Sequence, residues 1–328
     1  MNVFDVKSEP GRSRGIAEAV SALSAGYLVG IPTETVYGLA ADASQRQAVA
    51  RIYSAKNRPA SNPLIVHVSD LSMAQRQAEF SPLALKLAEA FWPGPLTLVL
   101  PVSRTSSLCD LVTAGVRTVG LRVPDHPVTL NLIERFGGPI AAPSANLSGY
   151  VSSTSAGDVI SDLGSEVAVL LDHGQTLIGI ESTILYCLDD EISLLRPGAI
   201  TRKDLDEVLI RQIAVKTDLH KCPDGILSPG MMSVHYAPRA VLRLHADSCH
   251  IGEGMLDFAG QCQSMQSVAR AYKDLSPSGD IKEAAANLFQ YLRILDRDDL
   301  TGIAVASIPS CGIGEAINDR LKRAAHTP

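Results

Sequence analysis

Apolar residues in this chain come in short runs, separated by polar segments that carry Gly and Pro. Residues 27–31 read as a buried strand stopped by Pro32, and 64–68, 96–100, 119–123, 140–142, 167–171 and 182–188 read as further short strands. Helical spacing lies between them. It predicts helices over 16–25, closed by Gly26; from a Ser44 cap toward Lys56; from Ser81-Pro82 to about residue 91; and over 127–136, 158–163 and 201–210. Strands interleaved with helices give an α/β layer fold. The helices are unevenly spaced, so the sheet is expected to be mixed and twisted rather than cleanly doubly wound.

The pattern changes after residue 215. Residues 216–238 hold Pro223, Gly225, Pro229, Gly230 and Pro238 without periodicity, which reads as a linker. A strand at 241–244, a helix at 281–295, a strand at 303–308 and a helix at 314–324 then fit a second, smaller Rossmann-like α/β domain. The expected division is 10–215, 216–238 and 239–328. A length of 328 residues suits two cores better than one. Neither an internal repeat nor a low-complexity tract is visible.

Composition narrows the function classes. Hydrophobic residues make up 46 % and charged residues 20 %, enough to bury real cores. Aromatic content is 5 % and net charge −6, which argues against an RNA- or DNA-gripping surface built on stacking and a basic field. Direct tRNA binding is therefore expected to be weak or absent. The six cysteines are scattered with no Cys-x-x-Cys pair, as expected of reduced thiols in a cytoplasmic protein rather than a metal or disulfide site. Residues 1–14 lack the apolar region of a secretory signal, and no apolar run reaches the ~18 residues that span a membrane.

Five polar segments sit at the ends of apolar strands, where open α/β folds bind ligands. Pro32-Thr33-Glu34-Thr35-Val36-Tyr37-Gly38-Leu39 crowds hydroxyls, a carboxylate and a phenol together; as a bland alternative it is a turn with helix caps. Lys56-Asn57-Arg58-Pro59 precedes Asn62-Pro63-Leu64 and His67, with no acid from 56 to 68. In an extended segment Lys56 and Arg58 point the same way, which suits a polyphosphate; the alternative is a solvated basic turn. His67 lies on an apolar strand, where a lone histidine is more often a satisfied core residue than a ligand contact. Trp92-Pro93-Gly94-Pro95 reads as a rigid structural turn. Arg122 alternates with strand residues and needs a carboxylate partner, from the protein or from a ligand. Pro143-Ser144-Ala145-Asn146-Leu147-Ser148-Gly149 offers small residues and hydroxyls that let a backbone approach phosphate. Glu181-Ser182-Thr183 and Arg196-Pro197-Gly198 add hydroxyls and a cation. A P-loop, a Gly-x-Ser-x-Gly elbow and a His-Glu-x-x-His helix are all missing.

Taken in order, these segments resemble the YrdC-like domain of the threonylcarbamoyl-AMP synthases. The resemblance covers about residues 10–215. It continues through Ser228-Pro229-Gly230-Met231, His235-Tyr236-Ala237-Pro238 and the closing run Gly312 to Arg320, as in the long two-domain form of the family. It implies a nucleotidyltransferase that makes threonylcarbamoyl-AMP and pyrophosphate from L-threonine, bicarbonate or CO2, and ATP. A threonylcarbamoyl transferase complex would then use the product for the t6A modification at adenosine 37 of tRNA. The implied threonine contacts are Thr35, His67, Arg122, Ala142 (by backbone) and Ser182. The implied ATP contacts are Arg58, Asn62, Thr118, Ser144, Ser152 and Arg196, with Lys56 and Asn146 in the same pocket and His235 or Tyr236 reaching in from the linker. Ala40 and His173-Gly174 depart from the family's usual Gly and Gly-Gly.

The chemistry so implied needs no covalent enzyme intermediate. Threonine's uncharged amine attacks CO2 or bicarbonate, and the carbamate oxygen attacks the α-phosphorus as pyrophosphate leaves. Lys56, Arg58 and Arg196 would offset phosphate charge, with Lys56 and Arg58 as catalytic candidates, and Arg122 would hold the threonine carboxylate. Mg2+ is expected to ride on the phosphates, with no metal site from protein side chains. The Met231-Met232 and His235-Tyr236 groups predict that 216–238 closes over nucleotide as a lid. Two other readings compete: a carbamoyl-adenylate enzyme of hydrogenase maturation, whose Cys pairs this chain lacks, and a non-catalytic RNA-binding or translation-regulatory module.

Overall fold

The computed structural model describes residues 1–188, 191–209 and 235–325. Of the lid expected over 216–238, residues 216–234 lie outside the described residues. The first unit runs β1 (Asn2–Asp5), α1 (Gly11–Ser24), β2 (Val29–Ile31), β3 (Gly38–Asp42), α2 (Arg46–Lys56), β4 (Ile65–His67), α3 (Leu71–Gln77), α4 (Pro82–Phe91), β5 (Leu96–Pro101), β6 (Thr118–Arg122), α5 (Pro127–Phe136), β7 (Ile140–Ala141), α6 (Ala156–Leu163), β8 (Val169–Asp172), β9 (Thr183–Leu188), β10 (Glu191–Arg196) and α7 (Arg202–Leu209).

Its strands form one ten-stranded sheet in the order β1-β8-β2-β3-β7-β4-β6-β5-β9-β10. Pairing is parallel at β1–β8, β2–β8, β4–β6 and β5–β9, and antiparallel at β2–β3, β3–β7, β4–β7, β5–β6 and β9–β10. This is the mixed sheet that uneven helix spacing predicts. The central strand β3 reads Gly-Leu-Ala-Ala-Asp and is buried throughout. It shows no alternation because neither of its faces meets water. Helix starts follow local chemistry: Ser81 accepts a hydrogen bond from the Ala84 amide ahead of Pro82, and Ser155 with Asp158 forms a capping box on α6.

Two expectations about this unit need correction. Ser44 does not cap α2; its amide and hydroxyl both donate to Asp42, and Gln45 stands at the cap without a side-chain bond. Lys56 and Arg58 are not on an extended segment. Lys56 ends α2, and Asn57 turns the chain with φ 50°. The left-handed residue, not strand alternation, carries both cations inward.

The second unit contains β11 (Leu242–Arg243), β12 (Glu253–Asp257), β13 (Ala271–Asp274), α8 (Ile281–Leu295), β14 (Gly302–Val305) and α9 (Ile313–Ala325). Its four strands, ordered β11-β14-β12-β13, are all parallel. Leu288, Phe289, Leu292 and Leu295 of α8 and Ile317 and Leu321 of α9 form its core, and Val36, Val151 and Ile180 of the first unit join the same cluster. At Gly179, φ is +76° and an added Cβ would sit 2.5 Å from the Ala285 carbonyl and the Ala286 Cα. The units meet there backbone to backbone, which only glycine permits.

Candidate active site

The loop joining β2 to β3 forms the first wall. Thr33 accepts hydrogen bonds from the amides of Thr35 and Val36, so the Thr-x-Thr pattern folds a hydroxyl-stabilised hairpin turn rather than a helix cap. The loop backbone is held from outside, as Ile178 N donates to Glu34 O and Gly179 N to Thr35 O. Arg122, at the end of β6, reaches into this loop. Its Nη1 donates to Thr35 Oγ1 at 2.9 Å, its Nε to Gly94 O at 3.2 Å, and its Nη2 lies 2.6 Å from Glu34 Oε1. The carboxylate partner that the strand arginine required is therefore Glu34. The Trp92-Pro93-Gly94-Pro95 turn serves structure, supplying the Gly94 carbonyl that orients this guanidinium.

The second wall follows α2. Arg58 donates through Nε to Asn62 O at 3.0 Å and through Nη2 to Asn62 Oδ1 at 2.6 Å and Pro63 O at 2.8 Å. Burial lowers its pKa to about 10, so it stays cationic near neutrality. Lys56 is 1 % exposed. Its Nζ donates to the carbonyls of Ser144, at 2.6 Å, and Asn146. Burial, then the charge of Arg58, lowers the Lys56 pKa well below the usual lysine range. Lys56 thus ties the 143–149 segment to α2 from behind. On β4, His67 is buried, and burial followed by Arg122 keeps its pKa well below the ordinary histidine value. It is neutral near pH 7, and its Nδ1 has no hydrogen-bond partner.

The third wall comes from the β9–β10 end and from the second unit. Ser182 Oγ lies 2.8 Å from Thr97 Oγ1 and accepts from Arg196 Nη2 at 3.2 Å. Arg196 is 4 % exposed, and burial lowers its pKa. Ser152 Oγ donates to Glu181 Oε1. The rings of His235 and Tyr236 meet edge to face at 4.1 Å, and Tyr236 stacks on Phe289. Burial, then the charges of Arg58 and Arg196, depresses the His235 pKa.

These walls enclose a cleft with about 520 Å3 of space between its atoms, part of it open solvent. Of the residues expected in the site, Thr35, Arg58, His67, Arg122, Ala142, Ser144, Ser182, Arg196 and His235 line it. Lys56, Asn62, Ser152 and Tyr236 stand one contact behind, each bonded to or packed on a lining residue, and Asn146 lies a further contact back, its carbonyl accepting from Lys56. Thr118 lies farther down β6 than Arg122, with its hydroxyl buried and unpartnered. Glu34 was legible within a motif and carried no assigned role; it pairs with Arg122. Glu181, likewise unassigned, lines the cleft.

Buried polar atoms without a hydrogen-bond partner gather at or just behind this cleft: His67 Nδ1, Asn146 Oδ1, His235 Nδ1 and Tyr236 Oη. Buried polar groups are ordinarily satisfied, so a cluster of orphans marks a place prepared for a ligand. Arg58, Arg122 and Arg196 make that place a receptor for anions. Among the described residues, no group of three or more His, Cys, Asp or Glu is placed to hold a metal ion. Among them also, no helix is long and apolar enough to cross a membrane.

The Sua5_yciO_yrdC family model, described as telomere recombination, matches residues 21–198. A second, described as the C-terminal domain of threonylcarbamoyl-AMP synthase, matches 200–326. A threonylcarbamoyl-AMP synthase of Bacillus subtilis is 41 % identical over 322 residues, covering 94 % of this chain and 92 % of its own. A putative threonylcarbamoyl-AMP synthase of Mycobacterium tuberculosis is 42 % identical over 207 residues, which cover 63 % of this chain and 94 % of its own. The crystal structure of Pyrococcus abyssi Sua5 complexed with L-threonine superposes with a TM-score of 0.89 at 34 % identity, covering 99 % of this chain and 98 % of that one.

Proposed function

Because this chain belongs to the threonylcarbamoyl-AMP synthases, we propose that its cleft binds L-threonine at Arg122 and ATP at Arg58 and Arg196, and joins them through bicarbonate or CO2. The observation that carries this reading is three buried arginines in one cleft whose two lining or adjacent acids, Glu34 and Glu181, are already engaged by cations. Uncommitted positive charge remains for a polyphosphate.

Threonine's carboxylate would take Arg122 and the Thr35 hydroxyl, with its side-chain hydroxyl read by the neutral His67 and by Ser182. Ala142 would contribute backbone. Threonine's amine, once uncharged, attacks the carbon of CO2 and sheds a proton, or that of bicarbonate with loss of water, and becomes a carbamate. The carbamate oxygen then attacks the α-phosphorus; that P–O bond forms as the bond to pyrophosphate breaks. Arg58 and Arg196 counter charge on the phosphates, while Lys56 holds the Ser144–Asn146 turn against them. Asn62, Ser152, Tyr236 and Thr118 complete the nucleotide side, the last through its buried, unpartnered hydroxyl. Mg2+ would arrive on the triphosphate, since the carboxylates at the cleft are spoken for by arginines. The product would pass to a threonylcarbamoyl transferase complex for the t6A modification of tRNA, in the cytoplasm.

The test is release of pyrophosphate from ATP with threonine and bicarbonate supplied together and separately. Release should need both. Release that ignores threonine, or none with all three present, would overturn the reading.

A further inference from the structure

Among the described residues, the most thoroughly buried cation belongs to the second unit and serves the cleft. Arg320, on α9, is 0 % exposed. Its Nε donates to Glu181 Oε2 at 3.0 Å, its Nη1 to Pro197 O at 2.7 Å, and its guanidinium lies 5.4 Å from the centre of the Tyr236 ring. Glu181 lines the cleft. Pro197 follows Arg196, and Tyr236 follows His235, and both of those preceding residues line it too. One side chain from near the end of the chain therefore braces three points on the third wall.

The charge at one of those points matters most. Glu181 is a carboxylate, 6 % exposed, on the wall of a cleft whose other charges suit phosphate. Its Oε1 accepts from Ser152, and its Oε2 is engaged by Arg320. An acid left unpaired there would repel a triphosphate across a low-dielectric gap. We infer that Arg320 is a positioning residue for nucleotide: it neutralises Glu181 and sets the wall formed by Arg196 and His235, so α9 tunes ATP affinity without itself touching substrate. Arg293 of α8 adds a brace to the same wall. It donates to the carbonyls of Val151 and Ser152, and pairs with Asp162 at 2.6 Å. The inference rests on the cleft binding ATP, as proposed above.

Charge logic makes the test specific. With Arg320→Met, KM for ATP should rise roughly 10- to 100-fold, as when one member of a buried charge pair is removed, while KM for threonine stays within about threefold. The double variant Arg320→Met/Glu181→Gln should recover most of the ATP affinity, because the repelling charge has gone. A merely structural role for Arg320 would not be repaired by Glu181→Gln, which restores no packing. Glu181→Gln alone removes the negative charge from the cleft wall while Arg320 keeps Asp319, 2.9 Å from its Nη1, as a partner, so KM for ATP should fall below wild type; this arm holds if Arg320→Met does not fold. Unchanged KM for ATP in Arg320→Met, no recovery in the double variant, or weaker ATP binding in Glu181→Gln overturns the inference. Wild-type enzyme lacking threonine- and bicarbonate-dependent pyrophosphate release would instead overturn the reading beneath it.

Discussion

Arg122 Nη2 and Glu34 Oε1 stand 2.6 Å apart, in side chains only 5 % and 6 % exposed. The pair shares its site with the place proposed for threonine's carboxylate, so Arg122 has an internal anion before substrate arrives. Breaking one side of a buried pair costs about 3–5 kcal/mol, because the other charge is left stranded. Glu34→Gln should therefore lower the thermal midpoint of the free protein. It should also enlarge the stabilisation given by saturating L-threonine, whose carboxylate then meets an unpaired guanidinium. Thermal shifts with and without threonine check this. A threonine-induced shift no larger than wild type would show that the carboxylate does not bind at Arg122.

Lys56→Ala and Arg58→Ala should each lose ATP-dependent turnover while leaving threonine affinity nearly unchanged. Loss of a charge-assisted contact costs about 1.5–3 kcal/mol, on the order of 10- to 150-fold. The two variants reach that outcome by different routes. Arg58 lines the cleft, whereas Lys56 holds the carbonyls of Ser144 and Asn146. Threonine titration by calorimetry alongside ATP kinetics separates the subsites. A parallel loss of threonine affinity would contradict the division of the cleft.

Valine should be turned over roughly 10^4-fold less efficiently than threonine, the scale of discrimination seen when a site built for a hydroxyl meets an isostere without one. His67→Leu should narrow that ratio by removing the unpartnered Nδ1. Competing-substrate assays read the ratio directly. Wild-type discrimination in the variant would place the hydroxyl elsewhere.

Acid should weaken the fold through His126. Burial first, then neighbouring His173, takes its pKa from 6.5 down to about 4, with Glu34 opposing the shift. The folded state thus refuses a proton that the unfolded chain accepts. Its share of stability is intact above pH ~6.5 and drains away as pH falls toward ~4, amounting to about 3 kcal/mol at the lower end. Between those pH values the urea midpoint of wild type should fall more steeply with acid than that of His126→Leu. Equal pH slopes in the two proteins would assign the acid sensitivity to other groups.

The site was more legible than the sheet. Its residues cluster in segments with unusual polarity at strand ends, and Arg58, His67, Arg122, Ser144, Ser182 and Arg196 converge in space as their motifs suggested. Helices with clear periodicity kept their bounds, as at Pro127–Phe136 and Ile281–Leu295. The strands that escaped notice were β1, β3, β10, β12 and β13. Most are short or carry acids at their ends, and β3 is made of small residues buried on both faces, so none shows a period of two. The roles of Glu34 and Glu181 were hidden for another reason. Their partners, Arg122 and Arg320, lie 88 and 139 positions away in sequence, beyond any local pattern.

That long separation also sets a schedule for biosynthesis. Glu181 is made well before Arg320, with 139 positions between them. At about 5–20 residues per second, roughly 7–28 s pass between their additions to the nascent chain. During that interval the ten-stranded sheet can close while Glu181 lacks its cation and His235 is still to come or newly made. The brace on Glu181 forms only once α9 has emerged, so if Arg320 tunes the cleft as proposed, the growing polypeptide stays a poor binder of ATP until then.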